Sequence, residues 1–464
     1  AFIFYSIGGS ALSAAETLAR FAADLRYEDL PVGVVGRAKD CILDSIGVAI
    51  FGSHLPWSQA ILAHVSRYGA GGPATILAAG GKTAQTPFAA LANGAFTHAF
   101  ELDNLRQPGA GVHAGAAIAM PALAVAQEVG ADGRDLIRAF VAATEVMFRI
   151  GAASLHTPER RGFHEPGLTG TFGSALASGL LMGLDQERLV NALGIAGSLS
   201  SGLLEFAKSG GGMVKRLHLG RAAEGGVLAA SLARDDFTGP SSVLDGEFGF
   251  LNVFCTEAAP DLLTAGLGQE FETLNICIKR YPCHVTAHTP VQSLRELMAE
   301  HGFAGDDVET IKVGASSKVL SHHDIPEPGD IMAAQYSVPF CLAIALYLDP
   351  EDAANFTDGT VSNPTIRKAA AKVTLELDPR ADAPGRGWAS TLTVGLTDGR
   401  EFTRAADTFK GAPQWPQSPA ELAGKFDRLT TPALGPERGP ALRGTLERLE
   451  EVHDLRSMLV EALV

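Results

Sequence analysis

The chain has 464 residues, 46% of them hydrophobic and 19% charged, a balance that belongs to a folded protein and excludes a disordered one. Its length exceeds one ordinary core, so two or three domains are expected. A net charge of −15 argues against a nucleic-acid partner, and no run reaches the roughly 18 to 20 uninterrupted apolar residues of a membrane span.

Apolar residues at three- and four-residue spacing predict helices over 13–25, 32–50, 83–100, 114–129, 134–153, 168–182 and 186–199. Pro31 opens the second, Gly52 follows its end, and Asp132 and Asp185 are in place to cap the helices they precede. After about residue 268 the pattern changes. Segments 308–313, 373–377, 388–396 and 401–405 read as strands, the last two joined as a hairpin through Thr397-Asp398-Gly399. Helices are expected at 291–300 and 331–347. A proline-rich crossover at 411–418 leads to further helices at 420–429 and 442–463. The fold class is therefore mainly α with an inserted α+β domain. It comprises an all-helical domain over 1–267, a smaller α/β domain with an antiparallel sheet over 268–410, and C-terminal helices over 411–464 that return to the helical domain.

Cys41, Cys255, Cys277, Cys283 and Cys341 form an odd set without a CxxC pair, which reads as small core residues in a reducing compartment. Residues 1–5 lack the basic flank of a secretory signal. A soluble, cytoplasmic protein is expected.

Four segments can carry chemistry. His98, Glu101, Asp103 and His113 put two carboxylates and two histidines within sixteen residues, a pairing suited to moving protons near neutral pH. Three apart, His98 and Glu101 share a face if the helix runs through them. The plainer reading makes Asp103 and Asn104 helix-end caps and His98 a satisfied core histidine. His164, after Gly162-Phe163, sits in a loop before a helix, where a surface histidine is the plainer reading. Gly210-Gly211-Gly212 leads into a run holding Lys215, Arg216, His218 and Arg221, a basic cluster in an acidic chain. It suits a carboxylate or phosphate at a helix start. Its spacing matches neither a Walker loop nor GxGxxG, so nucleotide binding is rejected. Lastly, Lys279-Arg280 precedes Cys283, His284 and His288. The two histidines, four apart, share a face on a helix. A metal is conceivable there, but the HExxH glutamate and any further zinc-spaced cluster are missing, so none is expected. An acid–base role for His284, with Lys279 and Arg280 holding anions, fits better. His322-His323 reads as a loop pair. No GxSxG elbow or Ser/His/Asp order supports nucleophilic hydrolysis.

Taken in order, Asp44-Ser45-Ile46-Gly47-Val48-Ala49, the 93–104 segment, Gly162-Phe163-His164, KRLHLGRAAEGG at 215–226 and KRYPCHVTAH at 279–288 resemble the MmgE/PrpD family. The resemblance covers essentially the whole chain. Family members include 2-methylcitrate dehydratase, cis-aconitate decarboxylase and iminodisuccinate epimerase. The resemblance implies a large all-helical domain with a smaller α/β lid, a homodimer, a site between the domains, and no metal or organic cofactor. It implies catalytic roles for Glu101, His113, His164, Lys215 and His284, and substrate contacts for His98, Asp103, Arg216, Lys279 and Arg280. The match departs at three places. Glu101 and Asn104 stand where the family has aspartates, and Ala114 follows His113 where a proline is usual. Glu101 carries its carboxylate about 1.5 Å further out than aspartate.

The implied function is a cofactor-independent lyase, first of all a hydro-lyase acting on a small hydroxy di- or tricarboxylate such as 2-methylcitrate. Decarboxylase and epimerase are alternatives using the same proton chemistry. A non-catalytic helical scaffold or small-acid binding protein is the alternative of a different class. Abstracting a proton next to a carboxylate builds a dianion, which needs cations aimed at it.

Overall fold

The computed structural model describes residues 12–77, 80–106, 112–209, 212–383 and 385–463. The first part of the chain is helical: α1 (Ala14–Asp24), α2 (Val32–Gly52), α3 (Pro56–Tyr68), α4 (Thr86–Thr97), α5 (Met120–Val129), α6 (Gly133–Ala153), α7 (Glu165–Leu181), α8 (Gln186–Leu199), α9 (Phe206–Ser209), α10 (Met213–Arg234) and α11 (Phe250–Phe254). Local chemistry sets several of these ends. Ser13 and Glu16 form a capping box on α1. Asp132 and Asp185 accept hydrogen bonds of 2.9 Å from Asp135 N and Arg188 N. Small residues let the helices approach closely. On α10, a Cβ at Gly220 would lie 2.5 Å from the Leu91 carbonyl of α4, and one at Gly226 would run into Ser174 of α7.

The later part carries α12 (His288–His301), α13 (Ser317–His323), α14 (Ile331–Tyr336), α15 (Val338–Tyr347), α16 (Asp358–Val361), α17 (Pro364–Ala370), α18 (Pro419–Leu446) and α19 (Leu455–Leu463). Short antiparallel pairs form between β1 (Ala70–Thr75) and β2 (Thr83–Ala84), and between β3 (Leu105–Arg106) and β4 (Ile276–Cys277). Four longer strands, β5 (Val308–Ala315), β6 (Val373–Leu377), β7 (Ser390–Leu396) and β8 (Glu401–Ala406), form one sheet in the order β6-β5-β7-β8. The β7–β8 hairpin turns through Gly399 at φ 88°. The fold is mainly α with small sheets.

Two large apolar cores result. The first runs from α1 through α8 and α10 and takes in Leu422, Phe426, Leu442 and Leu459 from the C-terminal helices. The second is built on α12, α15, α17 and the inner faces of β5 and β7. Phe100 and Leu102 reach into this second core from the loop after α4, so that loop lies where the two cores meet. All five cysteines are buried and free. Among the described residues no single helix is long and apolar enough to cross a membrane.

Several elements differ from expectation. The predicted 83–100 helix is a strand residue pair followed by a helix that stops at Thr97, so His98 and Glu101 share no helix face. The 114–129 helix opens as a π-turn over Gly115–Ala119, with Met120 N–H reaching Gly115 O. That wider turn precedes Pro121, which lacks the donor an α-helix needs. Pro339 breaks the 331–347 segment at Ser337, whose hydroxyl caps α15 at Phe340 N, 3.0 Å away. α18 runs well past 429, kinked at Gly435 with φ 81°. The main sheet is mixed rather than antiparallel, because β5 and β6 pair in parallel.

Candidate active site

The helix α4 ends at Thr97, and the chain turns through a loop three of whose carbonyls are held by distant side chains. Ala99 O accepts from Trp57 Nε1 at 3.1 Å and Arg216 Nε at 3.3 Å. Phe100 O accepts from Gln335 Nε2 at 2.8 Å, and Leu102 O from Lys425 Nζ at 3.1 Å. This bracing holds Glu101 at φ 55°, a left-handed conformation that costs a non-glycine residue about 1–3 kcal/mol. Asn104 anchors the far end. Its amide nitrogen donates to Asp44 and Ser45, and its oxygen accepts from Gly115 N at 2.9 Å. Asp44 in turn pairs with the buried Lys425. Asn104 is thus a structural tie in the core.

Inside this loop, Asp103 Oδ2 lies 2.8 Å from both His98 Nδ1 and His113 Nδ1. One ionised oxygen accepting from two rings puts a proton on Nδ1 of each. Burial opposes the charge on Asp103, but His113 and His98 hold it well below the usual carboxylate range. Burial also keeps His98 well below its ordinary value, with Asp103 resisting. His98 Nε2 and Asp103 Oδ1 are buried without a hydrogen-bond partner among the described residues.

Beside this clamp, Glu101 takes one buried lysine on each oxygen: Lys215, in the first turn of α10, on Oε1, and Lys279, after β4, on Oε2 at 2.8 Å. Burial, Arg216 and Lys279 press Lys215 below its ordinary range. Lys279 is lowered by burial, with Asp103 opposing. Arg216 lies 5.0 Å over the Trp57 ring and serves the loop at Ala99.

His164 stands at the start of α7, buried, with its Nδ1 3.0 Å from His218 Nδ1. Its ring centre is 6.0 Å from that of His98. Burial, then His218 and His113, hold His164 down to about 3; burial and Lys215 hold His218 down to about 4. On the other wall, His284 stacks on His323 at 4.1 Å and lies 4.9 Å from the Tyr336 ring, over which Lys215 Nζ sits at 5.3 Å. His284 Nδ1 contacts Thr286 Oγ1 at 2.9 Å, and burial and His323 keep the ring well below its ordinary value.

Nine of the ten residues singled out in the sequence are therefore neighbours around one junction. Arg280 is not among them: it turns to Glu351, 2.6 Å away. His288 also leaves the site, packing between Tyr281 and Phe409, because His284 precedes a 3-10 turn rather than an α-helix. His323 is a buried helix residue, not a loop one. Gly210 and Gly211 lie outside the described residues. Among the described residues His98, Asp103 and His113 have donor atoms close enough to gather on a cation. Both Nδ1 atoms meet the one carboxylate oxygen at 2.8 Å, however, which is hydrogen-bond geometry.

The family of MmgE/PrpD N-terminal domains matches residues 16–263, and that of MmgE/PrpD C-terminal domains matches residues 281–450. The chain belongs to the MmgE/PrpD family. It is 28% identical to a cis-aconitate decarboxylase-like protein of Aspergillus oryzae, over 95% of both chains. It is 29% identical to the cis-aconitate decarboxylase of Aspergillus terreus, over 95% of this chain and 94% of the other. The human cis-aconitate decarboxylase is 27% identical over 95% and 93%. Within this family member, Gln335, Tyr336, His218, His323 and Lys425 shape the site without having been picked out as candidates. His218 lay in the basic run as a residue without a role. Gln335 and Tyr336 carry no sequence signal: they matter because α14 crosses behind the 99–104 loop.

Proposed function

We propose that this protein is a lyase acting on a small di- or tricarboxylate, and that its reaction is decarboxylation of an unsaturated acid of the cis-aconitate type. The observation that carries the reading is the pairing of two features in one site: two imidazoles fixed by Asp103, and two buried lysines gathered on Glu101. Breaking the bond to a departing carboxylate leaves an electron pair that spreads into the remaining conjugated carboxylate. Lys215 and Lys279 supply the positive charge for that anion in a water-poor setting. Carbon dioxide leaves, and a histidine returns a proton to carbon. Asp103 stabilises whichever of His98 and His113 becomes charged. Full-length similarity to cis-aconitate decarboxylases supports this choice over dehydration.

Dehydration of a hydroxy acid such as 2-methylcitrate would use the same groups, with the proton given to a departing hydroxyl. Purified protein incubated with cis-aconitate, 2-methylcitrate, citrate and iminodisuccinate in deuterated water, followed by NMR, separates the reactions. Loss of cis-aconitate to a five-carbon product is the expected result. Loss of 2-methylcitrate alone would replace decarboxylation with dehydration, and silence across the panel would overturn the enzyme reading.

A further inference from the structure

We propose that Thr286 fixes the tautomer of His284, holding its Nδ1 as an acceptor and leaving Nε2–H as the donor the ring offers to substrate. The contacts around the ring carry this. His284 precedes a 3-10 turn over Val285–Ala287 that runs on into α12, so the ring stands at the start of a helical run. Its Nδ1 serves as the cap there. The Thr286 backbone N–H donates to Nδ1 at 3.4 Å, and the Thr286 hydroxyl lies 2.9 Å from the same nitrogen. A backbone N–H can only donate, so Nδ1 presents its lone pair and the proton of a neutral ring belongs on Nε2. Among the described residues Nε2 has no hydrogen-bond partner. The ring plane is set by stacking on His323 at 4.1 Å and 25°, and His323 is itself tied through Nδ1 to Tyr336 O at 3.0 Å. The titratable and charged groups that face His284 are His323 and Lys318 from α13, Tyr336 from α14, Lys215 from α10, and Lys279. Burial, His323 and the three lysines oppose a charged ring, as does the helix start.

His284 therefore differs in kind from His98 and His113, whose Nδ1 protons meet a carboxylate that can bear a charged ring beside it. The task of its donor rests on the decarboxylase reading. A neutral ring that lost the Nε2 proton would become an imidazolate, so His284 keeps that proton and donates a hydrogen bond. As carbon dioxide leaves, negative charge gathers on the retained carboxylate of the substrate. A fixed neutral N–H aimed at that carboxylate binds the anion more strongly than the starting acid. Thr286 touches no reacting atom in this scheme; it is a positioning residue that acts through His284.

The test begins without substrate. In protein labelled with 15N-histidine, His284 should appear near neutral pH as an uncharged ring with its proton on Nε2. Its Nδ1 resonance should lie at the position of a hydrogen-bonded imine nitrogen. Thr286→Val keeps the side chain's shape and the backbone N–H but removes the hydroxyl, so the Nδ1 resonance should move toward the unbonded position. Thr286→Ser should restore it. A proton on Nδ1 in the wild type, a doubly protonated ring, or an unmoved Nδ1 resonance in Thr286→Val would overturn the proposal. Should the valine variant not fold, the wild-type ring still decides, since an unbonded Nδ1 there sinks the role of Thr286. With a substrate that turns over, Thr286→Val should lower kcat about five- to tenfold at little change in KM, and Thr286→Ser should regain it. An equal loss in the serine variant would overturn the positioning role and mark Thr286 as packing alone. The ring measurement needs no reaction, so a wrong reaction and a wrong tautomer give different results.

Discussion

Replacing Asp103 by asparagine tests the proton-moving clamp while keeping the side chain's shape. Asp103 Oδ2 is 2.8 Å from two imidazole nitrogens and fully buried. A charged imidazole centred about 4 Å from that carboxylate gains about 4 kcal/mol at an effective dielectric near 20. At 1.36 kcal/mol per decade, losing that charge slows a step through an imidazolium by about a thousandfold. The asparagine oxygen can still accept both N–H bonds and recover part of this, so a fall in kcat of about 100- to 1,000-fold is expected. The amide nitrogen then takes the Oδ1 position, which has no partner among the described residues, at a stability cost of about 1–3 kcal/mol. The assay is kcat across pH together with thermal unfolding. Removing the anion lowers the histidine pKa values, so the limb requiring a protonated histidine shifts to lower pH. A folded variant with kcat within about threefold of wild type and an unmoved pH profile would refute the assignment.

Three further outcomes are expected. Lys215→Ala should abolish turnover while leaving the fold intact, because Lys279 still pairs with Glu101; retained turnover in a kinetic assay contradicts its role. Lys425→Met strands the buried Asp44 carboxylate and frees the Leu102 carbonyl. It should cost about 3–5 kcal/mol in denaturant unfolding, and the double variant with Asp44→Asn should recover most of that. His156 is opposed by burial but raised to about 9 by Glu159 and Glu165, and Glu159 is lowered to about 2 by His156 and Lys318 against its own burial. The His156 contribution is complete below about 6.5 and lost as pH rises through about 9. That of Glu159 is complete above about 4.5 and lost as pH falls through about 2. Thermal melts of His156→Gln should therefore fall less than wild type between pH 6.5 and 9. Parallel curves would contradict the ion-pair account.

Much of the helical framework was legible because apolar spacing and caps such as Asp132 and Asp185 act locally. The clustering of His98, Glu101, Asp103 and His113 was legible as residue types, but the reason for it was not. A helix through His98 and Glu101 is the local preference. The chain instead turns at Glu101, because Trp57, Arg216, Gln335 and Lys425 hold the loop carbonyls from elsewhere in the sequence. Arg280 was misread for the same kind of reason: its neighbour Lys279 points at Glu101, while Arg280 pairs with Glu351, a residue distant in sequence. Tyr336 and Gln335 were invisible, since only the packing of α14 against the 99–104 loop gives them a role.

The most direct test of the central claim counts two products of one turnover: carbon dioxide released and solvent deuterium fixed on carbon when the protein meets cis-aconitate in deuterated water. The account predicts equal amounts of each, both lost in the Asp103→Asn and Lys215→Ala variants. Carbon dioxide no higher than without protein, or release that survives both substitutions, would contradict it.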